Sequence, residues 1–274
     1  MRSKISVSDK IHWFLTNDQR TENYYRLQYE HLFAKHYDQK TDTIKCGDLT
    51  LPRLSHNLYP TREEAYYALE IGDILYPGLF DSYKFIDEGP YEWMDVEIEK
   101  GDVVFDCGAN LGIFSLFAAH RGATVYAFEP ILEARKIMNQ VLVLNSNLKD
   151  KVTVVPYALS DKKGTAEFTL LKDTLVGSSM VLPHEGEKET ANITTIDDFC
   201  NEYRISPDFI KSDIEGAERL MLSGAQKTLK ESSPKLSICT YHFPDDKKVI
   251  KQLILQANQN YKIIDKWKKY YARV

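Results

Sequence analysis

The stretch Val103-Val-Phe-Asp-Cys-Gly-Ala-Asn-Leu-Gly112 decides the fold. Val103, Val104, Phe105 and Cys107 form a short apolar or compact run around one acid, Asp106. A tight glycine segment, Gly108 to Gly112, follows, and a helical pattern begins at Ile113. An apolar run that breaks at glycines and passes into a helix reads as the first strand, loop and helix of a doubly wound α/β domain. Such a loop is expected to present backbone N–H groups, and its glycines let a ligand approach the main chain closely. The ligand is expected at the carboxyl end of this strand.

Details of the loop select the ligand. A dinucleotide loop reads G-x-G-x-x-G and cradles a pyrophosphate. Here the order is D-x-G-x-N-x-G, with Asp106 before the first glycine and Asn110 between the two. An acid and an amide suit a ligand carrying an ammonium group and hydroxyls better than one carrying phosphates. The next strand, Ala123 to Phe128, ends in Glu129-Pro130, and Glu129 lies 21 positions after Gly108. An acid there grips ribose hydroxyls and repels a 2′-phosphate. The combination resembles the S-adenosylmethionine site of class I methyltransferases. The competing readings are a Rossmann-like NAD site and a glycine turn without a ligand.

Composition bounds the possibilities. The chain has 274 residues, 43% hydrophobic and 27% charged, enough for one large α/β domain and a smaller appendage. A net charge of −5 leaves no basic footprint for nucleic acid. No run approaches the roughly 18 apolar residues of a membrane span, and the N-terminus lacks the apolar core of a signal peptide. Cys46, Cys107, Cys200 and Cys239 show no C-x-x-C spacing; Cys107 and Cys239 fall in expected core strands as buried small hydrophobes. A cytoplasmic protein is expected.

Residues 1–87 read as a helical and hairpin extension, and 88–274 as the catalytic domain. Ile5 to Leu15 and Asn23 to Tyr37 read as helices, the second rich in tyrosine and suited to a packing face or a homo-oligomer surface, with a lid over the substrate pocket as the alternative reading. Thr43 to Leu51 alternates around Gly47-Asp48 as a hairpin. Thr61-Arg-Glu-Glu64 is a capping box opening a helix through about Leu69. Within the larger domain, Ile113 to His120 and a segment after Pro130 carrying Ile137, Met138, Val141, Leu142 and Leu144 are helical. Val152 to Val155, Phe209 to Ser212 and Lys235 to Tyr241 are the remaining core strands. Thr165 to Leu171 and Ala191 to Ile196 are extra strands, and Asp197-Asp-Phe-Cys200 opens a helix. One helix runs from Gly216 to about Lys230, and another from Lys247 to Gln256. Tyr261 to Trp267 and Tyr270 to Val274 are a terminal antiparallel pair.

From about Glu88 onward the chain resembles the FkbM-family methyltransferases. The residues that carry the resemblance are Glu88-Gly-Pro-Tyr-Glu92, Asp106 to Gly112, Phe128-Glu-Pro130, Ala158-Leu-Ser-Asp161, Phe209-Ile-Lys-Ser-Asp-Ile-Glu-Gly-Ala-Glu218 and Tyr241-His242. The resemblance implies a Rossmann-like class I fold. Its sheet is seven-stranded and mostly parallel with an antiparallel C-terminal strand, and helices cover both faces. It also implies S-adenosylmethionine as cofactor and O-methylation of a hydroxyl on a sugar, glycan or related secondary metabolite. The cofactor-contact candidates are Tyr91, Glu92, Asp106, Gly108, Ala109, Asn110, Gly112, Glu129, Pro130, Tyr157 and Ala158.

A hydroxyl is a poor nucleophile while protonated, so a base is needed where the acceptor enters. The first and fourth core strands flank the switch point, and their carboxyl ends converge on the ligand. Asp213 and Glu215 stand at the exit of the fourth strand and His242 at that of the fifth. His242 is the candidate base, Asp213 orients it or the acceptor, and Glu215 is a further acceptor contact. Glu218 reads as an acid favouring a helix N-terminus. A rival arrangement makes Asp213 and His242 ligands of a divalent metal; it is not favoured, because a Mg²⁺ site is usually oxygen-rich. Two other functions compete, an NAD-linked oxidoreductase and a non-catalytic partner that keeps the fold.

Overall fold

The computed structural model describes residues 35–54, 67, 70–71, 74–75, 90–170, 178–182 and 186–274. Its centre is the strand read first, β4 (Val103–Cys107), flanked by β5 (Thr124–Phe128) and β10 (Phe209–Ser212), both parallel to it. β6 (Val152–Val155) extends the sheet beyond β5 and β11 (Lys235–Cys239) beyond β10, again in parallel. The terminal pair β12 (Lys262–Lys266) and β13 (Lys269–Arg273) completes the order β12-β13-β11-β10-β4-β5-β6, with β13 antiparallel to both neighbours. The chain leaves β4 in one direction and returns through β10 on its other side. The crevice above β4 and β10 is therefore the topological switch point.

The helices cover the two faces as the apolar spacing requires. α1 (Ile113–His120) starts directly from the glycine loop and buries Ile113, Phe114, Leu116, Ala118 and Ala119. α2 (Leu132–Leu144) buries Ala134, Met138, Val141 and Leu142 and ends at Asn145, while Leu144 is exposed. α3 (Ile196–Tyr203) is capped by Thr195, whose side chain accepts from the Asp198 N–H. Cys107 and Cys239 are fully buried within strands β4 and β11, as small hydrophobes.

Several boundaries differ from the sequence reading. The helix expected from Gly216 to Lys230 is two, α4 (Glu218–Ser223) and α5 (Gln226–Glu231). The break is tertiary. A Cβ on Gly224 would stand 2.2 Å from the Ser160 carbonyl oxygen. The Asp197 side chain of α3 accepts from the N–H groups of Lys227 and Thr228, capping α5 from a distant element. The strand expected from Ala191 begins at Glu187, because β9 (Glu187–Thr194) pairs along all of β8 (Gly164–Leu170). β7 (Tyr157–Leu159) joins these two in a separate sheet ordered β7-β9-β8. α6 (Asp246–Ala257) follows β11.

Near the N-terminus the hairpin forms as β2 (Thr43–Cys46) and β3 (Leu49–Pro52), joined by β1 (Tyr37–Asp38). Tyr37, expected in a helix, is therefore in a strand opposite Ile44. The helix Ile5 to Leu15, the span Asn23 to Ala34 and the capping box at Thr61 lie outside the described residues. Tyr67, Glu70, Ile71, Ile74 and Leu75 are helical. Tyr67, Ile71 and Ile74 belong to the same buried cluster as Ile44, Leu51, Val104, Leu111 and Met138. The described part of the N-terminal segment thus shares one core with the α/β body. Among the described residues, no helix is long and apolar enough to cross a membrane.

Candidate active site

The glycine loop is built by close approach. Gly108 has φ +78°, and a Cβ there would lie 2.0 Å from the Asp213 carbonyl oxygen, so the loop backbone rests on the exit of β10. Gly112, with φ +85°, is the N-cap of α1, and a Cβ on it would press on the Met138 side chain at 2.6 Å. Asn110 also takes a left-handed conformation, φ +48°, which asparagine tolerates better than most residues. The expectation that the loop offers its N–H groups to a ligand needs correction. Gly108 and Ala109 both donate to the Phe128 carbonyl, Asn110 donates to Glu129 Oε2 at 2.8 Å, and Gly112 donates to the Ala109 carbonyl. These four donors are engaged within the protein, and a pyrophosphate would have to displace them.

Asp106 is also placed differently from its expected role as a ligand contact. It is fully buried beneath the loop, accepts from the Ser115 hydroxyl at 2.6 Å and lies 3.0 Å from Lys211 Nζ. The ammonium group it meets is the protein's own. Strand register causes this, since Lys211 of β10 pairs directly with Asp106 of β4. Lys211 also donates to the Gly108 carbonyl at 2.6 Å. Burial acts to lower its pKa, but the Asp106 and Asp213 carboxylates outweigh that and hold it above the ordinary lysine value. The sequence reading used Lys211 only as part of a motif; a lysine inside a four-residue core strand was the signal that it needed a buried acid.

Glu129, just after β5, is buried and accepts from the Asn110 and Ile131 N–H groups, each at 2.8 Å. Burial raises its pKa to about 7, against the lowering pull of those two donors. Pro130 follows it, and both carbonyls accept from Arg135. Glu70, which sequence reasoning did not single out, reaches the same place from the N-terminal helix, with Asn110 Nδ2 3.5 Å from its carboxylate. Burial raises Glu70 to about 7 as well, with Lys211 opposing.

At the exits of β10 and β11 the three expected catalytic residues do meet. His242 Nε2 lies 3.4 Å from Glu215 and 3.7 Å from Asp213. A fourth group joins them: Glu218 Oε1 lies 3.3 Å from His242 Nδ1. Glu218 was read as a helix-terminus acid, but it is fully buried and accepts from the Ile214 N–H at 2.8 Å. Asp213 is fixed by two hydroxyls, with Tyr91 donating to Oδ2 at 2.8 Å and Tyr241 to Oδ1 at 3.2 Å. The Tyr91 ring has Lys269 Nζ 4.5 Å and Lys211 Nζ 5.2 Å from its centroid. Burial acts to raise the Asp213 pKa, but His242, Lys211 and Lys269 outweigh it and hold it low.

These surroundings contradict His242 as a resting general base. Burial acts to lower its pKa, yet Glu215, Glu218 and Asp213 prevail and raise it to about 11. The ring therefore carries its proton at neutral pH and has no free lone pair for an acceptor's proton. Glu215 has φ +50° and a side chain 27% exposed, the most open carboxylate of the cluster.

Three candidates are not brought to this crevice. Glu92 turns to the Ile98 N–H at 2.6 Å and to Arg121, just past the far end of α1. Tyr157 lines a separate cavity of about 250 Å³ with Phe199 and Tyr203 of α3. Ala158 is buried in the core.

A doubly wound sheet of this order, with a glycine loop and an acid-rich exit at its switch point, defines a class I methyltransferase-type fold. The model of the methyltransferase FkbM domain matches residues 106–263, more than half of the chain, which belongs to that family. The 31-O-demethyl-FK506 methyltransferase FkbM of Streptomyces tacrolimicus is 29% identical over 170 residues, covering 48% of this chain and 62% of that protein. The crystal structure of methyltransferase FkbM from Methylobacillus flagellatus KT aligns with a TM-score of 0.54 at 18% identity, covering 93% of this chain and 59% of the other. The chain thus spans about three-fifths of each relative's length.

Proposed function

We propose that this protein is an S-adenosylmethionine-dependent O-methyltransferase whose acceptor is a hydroxyl of a sugar, glycan or related secondary metabolite. The observation that carries this reading is the pairing of Glu129 with a glycine loop in which the N–H groups of Gly108, Ala109, Asn110 and Gly112 are already engaged. Such a loop suits a ligand without phosphates, and each Glu129 oxygen keeps a lone pair for a ribose hydroxyl. The same feature counts against an NAD site. S-adenosylmethionine, when bound, supplies a methyl group already activated for displacement. Glu129 holds the ribose, and Asn110 and Glu70 border it.

At the other end of the crevice the chain must align the hydroxyl and receive its proton. Tyr91 and Tyr241 fix Asp213, and His242 holds the carboxylates together. Glu215, at the rim, takes the proton. The acceptor class is supported by the name of the Streptomyces tacrolimicus relative, whose substrate is demethylated at an oxygen. Calorimetry tests the cofactor: S-adenosylhomocysteine binds and NADH does not. Mass spectrometry for an added methyl across nucleotide-sugars and glycans tests the acceptor. A protein that binds S-adenosylhomocysteine but methylates none of them would favour a non-catalytic partner instead.

A further inference from the structure

The cluster beyond β10 holds more buried donors than proton transfer requires. Glu218 is fully buried, and its Oε2 has no hydrogen-bond donor, while Oε1 takes the Ile214 N–H. The His242 side chain is 3% exposed, and neither ring nitrogen is in hydrogen-bond geometry, although three carboxylates lie at 3.3–3.7 Å. Buried polar atoms left this way are costly. Of the nearby cations, Lys211 is paired with Asp106 and the Gly108 carbonyl, Arg219 with Asp245 and Asp246, and Lys269 lies against the Tyr91 ring.

One donor atom each from Asp213, Glu218 and His242 lie within 4.8 Å of one another. Donors bound at about 2.1 Å to one ion stand no more than about 4.2 Å apart, so the cluster needs to close by about 0.6 Å at its widest. Tyr91 and Tyr241 already orient Asp213, as outer groups orient a metal-binding carboxylate. We propose that Asp213, Glu218 and His242 bind a divalent first-row transition cation, with Glu215 at its rim. One imidazole among carboxylates suits Mn²⁺ or a similar ion better than Mg²⁺, and the ion takes the place of the proton that Glu215, Glu218 and Asp213 otherwise hold on His242. The proposal deepens the O-methyltransferase reading and rests on it for its purpose. An ion here takes the acceptor oxygen as a further ligand and makes its proton easier to lose.

Mn²⁺ itself is the probe, with calorimetry and electron paramagnetic resonance on the full chain freed of metal. One saturable Mn²⁺ per chain is expected, and His242→Gln and Glu218→Gln should each weaken it at least about tenfold. Asp265→Asn, at an exposed strand position, should leave it unchanged. Melting temperature and S-adenosylhomocysteine affinity are measured in parallel, and if either variant unfolds, Asp213→Asn takes its place. Absence of a saturable site, or binding that survives these substitutions, overturns the proposal. Loss of S-adenosylhomocysteine binding in the parent overturns the cofactor reading instead, so the two failures are distinguishable.

Discussion

Glu129 shows how one residue's burial sets a measurable property. Its pKa is raised to about 7 from the ordinary glutamate value of 4.5. For an acid raised by folding, the protonated form is the better tolerated one. Its stability contribution is full below the unfolded value and is lost as pH rises through about 7. Ribose hydroxyls need the carboxylate. Affinity for S-adenosylhomocysteine should therefore fall as pH drops below 7, approaching about tenfold per unit, and calorimetry from pH 5.5 to 8.5 checks this. Glu129→Ala should cost roughly a hundredfold to ten-thousandfold in affinity, at about 1.5–3 kcal/mol for each of two charge-assisted bonds. An unchanged dissociation constant would remove Glu129 from the site. Gly108 and Gly101 make a second test at this scale. Both have positive φ, but a Cβ on Gly101 meets nothing within 4 Å, whereas on Gly108 it meets the Asp213 backbone. Gly101→Ala should cost about 1–2 kcal/mol from backbone strain alone. Gly108→Ala should cost distinctly more, about 3 kcal/mol or above, as denaturant unfolding would show.

Between elements, single side chains do the joining. Asn145, at the end of α2, donates to the Thr50 and Val141 carbonyls and accepts from the Thr50 N–H, binding β3 to the helix. Asn145→Ala leaves the Thr50 groups without their partner. At about 1 kcal/mol per bond, a loss of about 2–3 kcal/mol is expected, or a melting temperature lower by about 5–10 °C. Hydrogen exchange should localise the change to β2 and β3. Exchange that speeds up uniformly across the sheet would instead mean that the hairpin is not held by this contact. Asp197 does similar work between α3 and α5, where its carboxylate accepts from Lys227, Thr228 and the Thr228 hydroxyl.

For the whole molecule, the question is whether the residues before the family-matched region are an appendage. Ile44, Leu49, Leu51, Tyr67 and Ile71 are buried against Val104, Leu111 and Met138 of the α/β body. Losing the burial of each side chain costs about 1.5–3 kcal/mol, and the total stability of a domain is about 5–15 kcal/mol. Their sum is enough to unfold it. A chain beginning at Gly89 should therefore lose its cooperative thermal transition. A truncated protein melting like the parent would show the two regions to be energetically separate.

Local pattern alone determined the strands Val103 to Cys107 and Phe209 to Ser212, the helix from Ile113 to His120 and the terminal antiparallel pair. In each, apolar period and glycine punctuation agree, and both act over a few residues. The meeting of Asp213, Glu215 and His242 was legible too, because a parallel sheet brings the carboxyl ends of neighbouring strands together. Only tertiary structure decided what those groups face. Strand register put Lys211 beside Asp106 and turned an expected ligand contact into a buried ion pair. Distant caps and close approaches divided one expected helix into α4 and α5. Glu215 and the buried Glu218 beside His242 turned an expected base into a cation. Electrostatics and close packing depend on distances in space, and groups far apart along the chain set them.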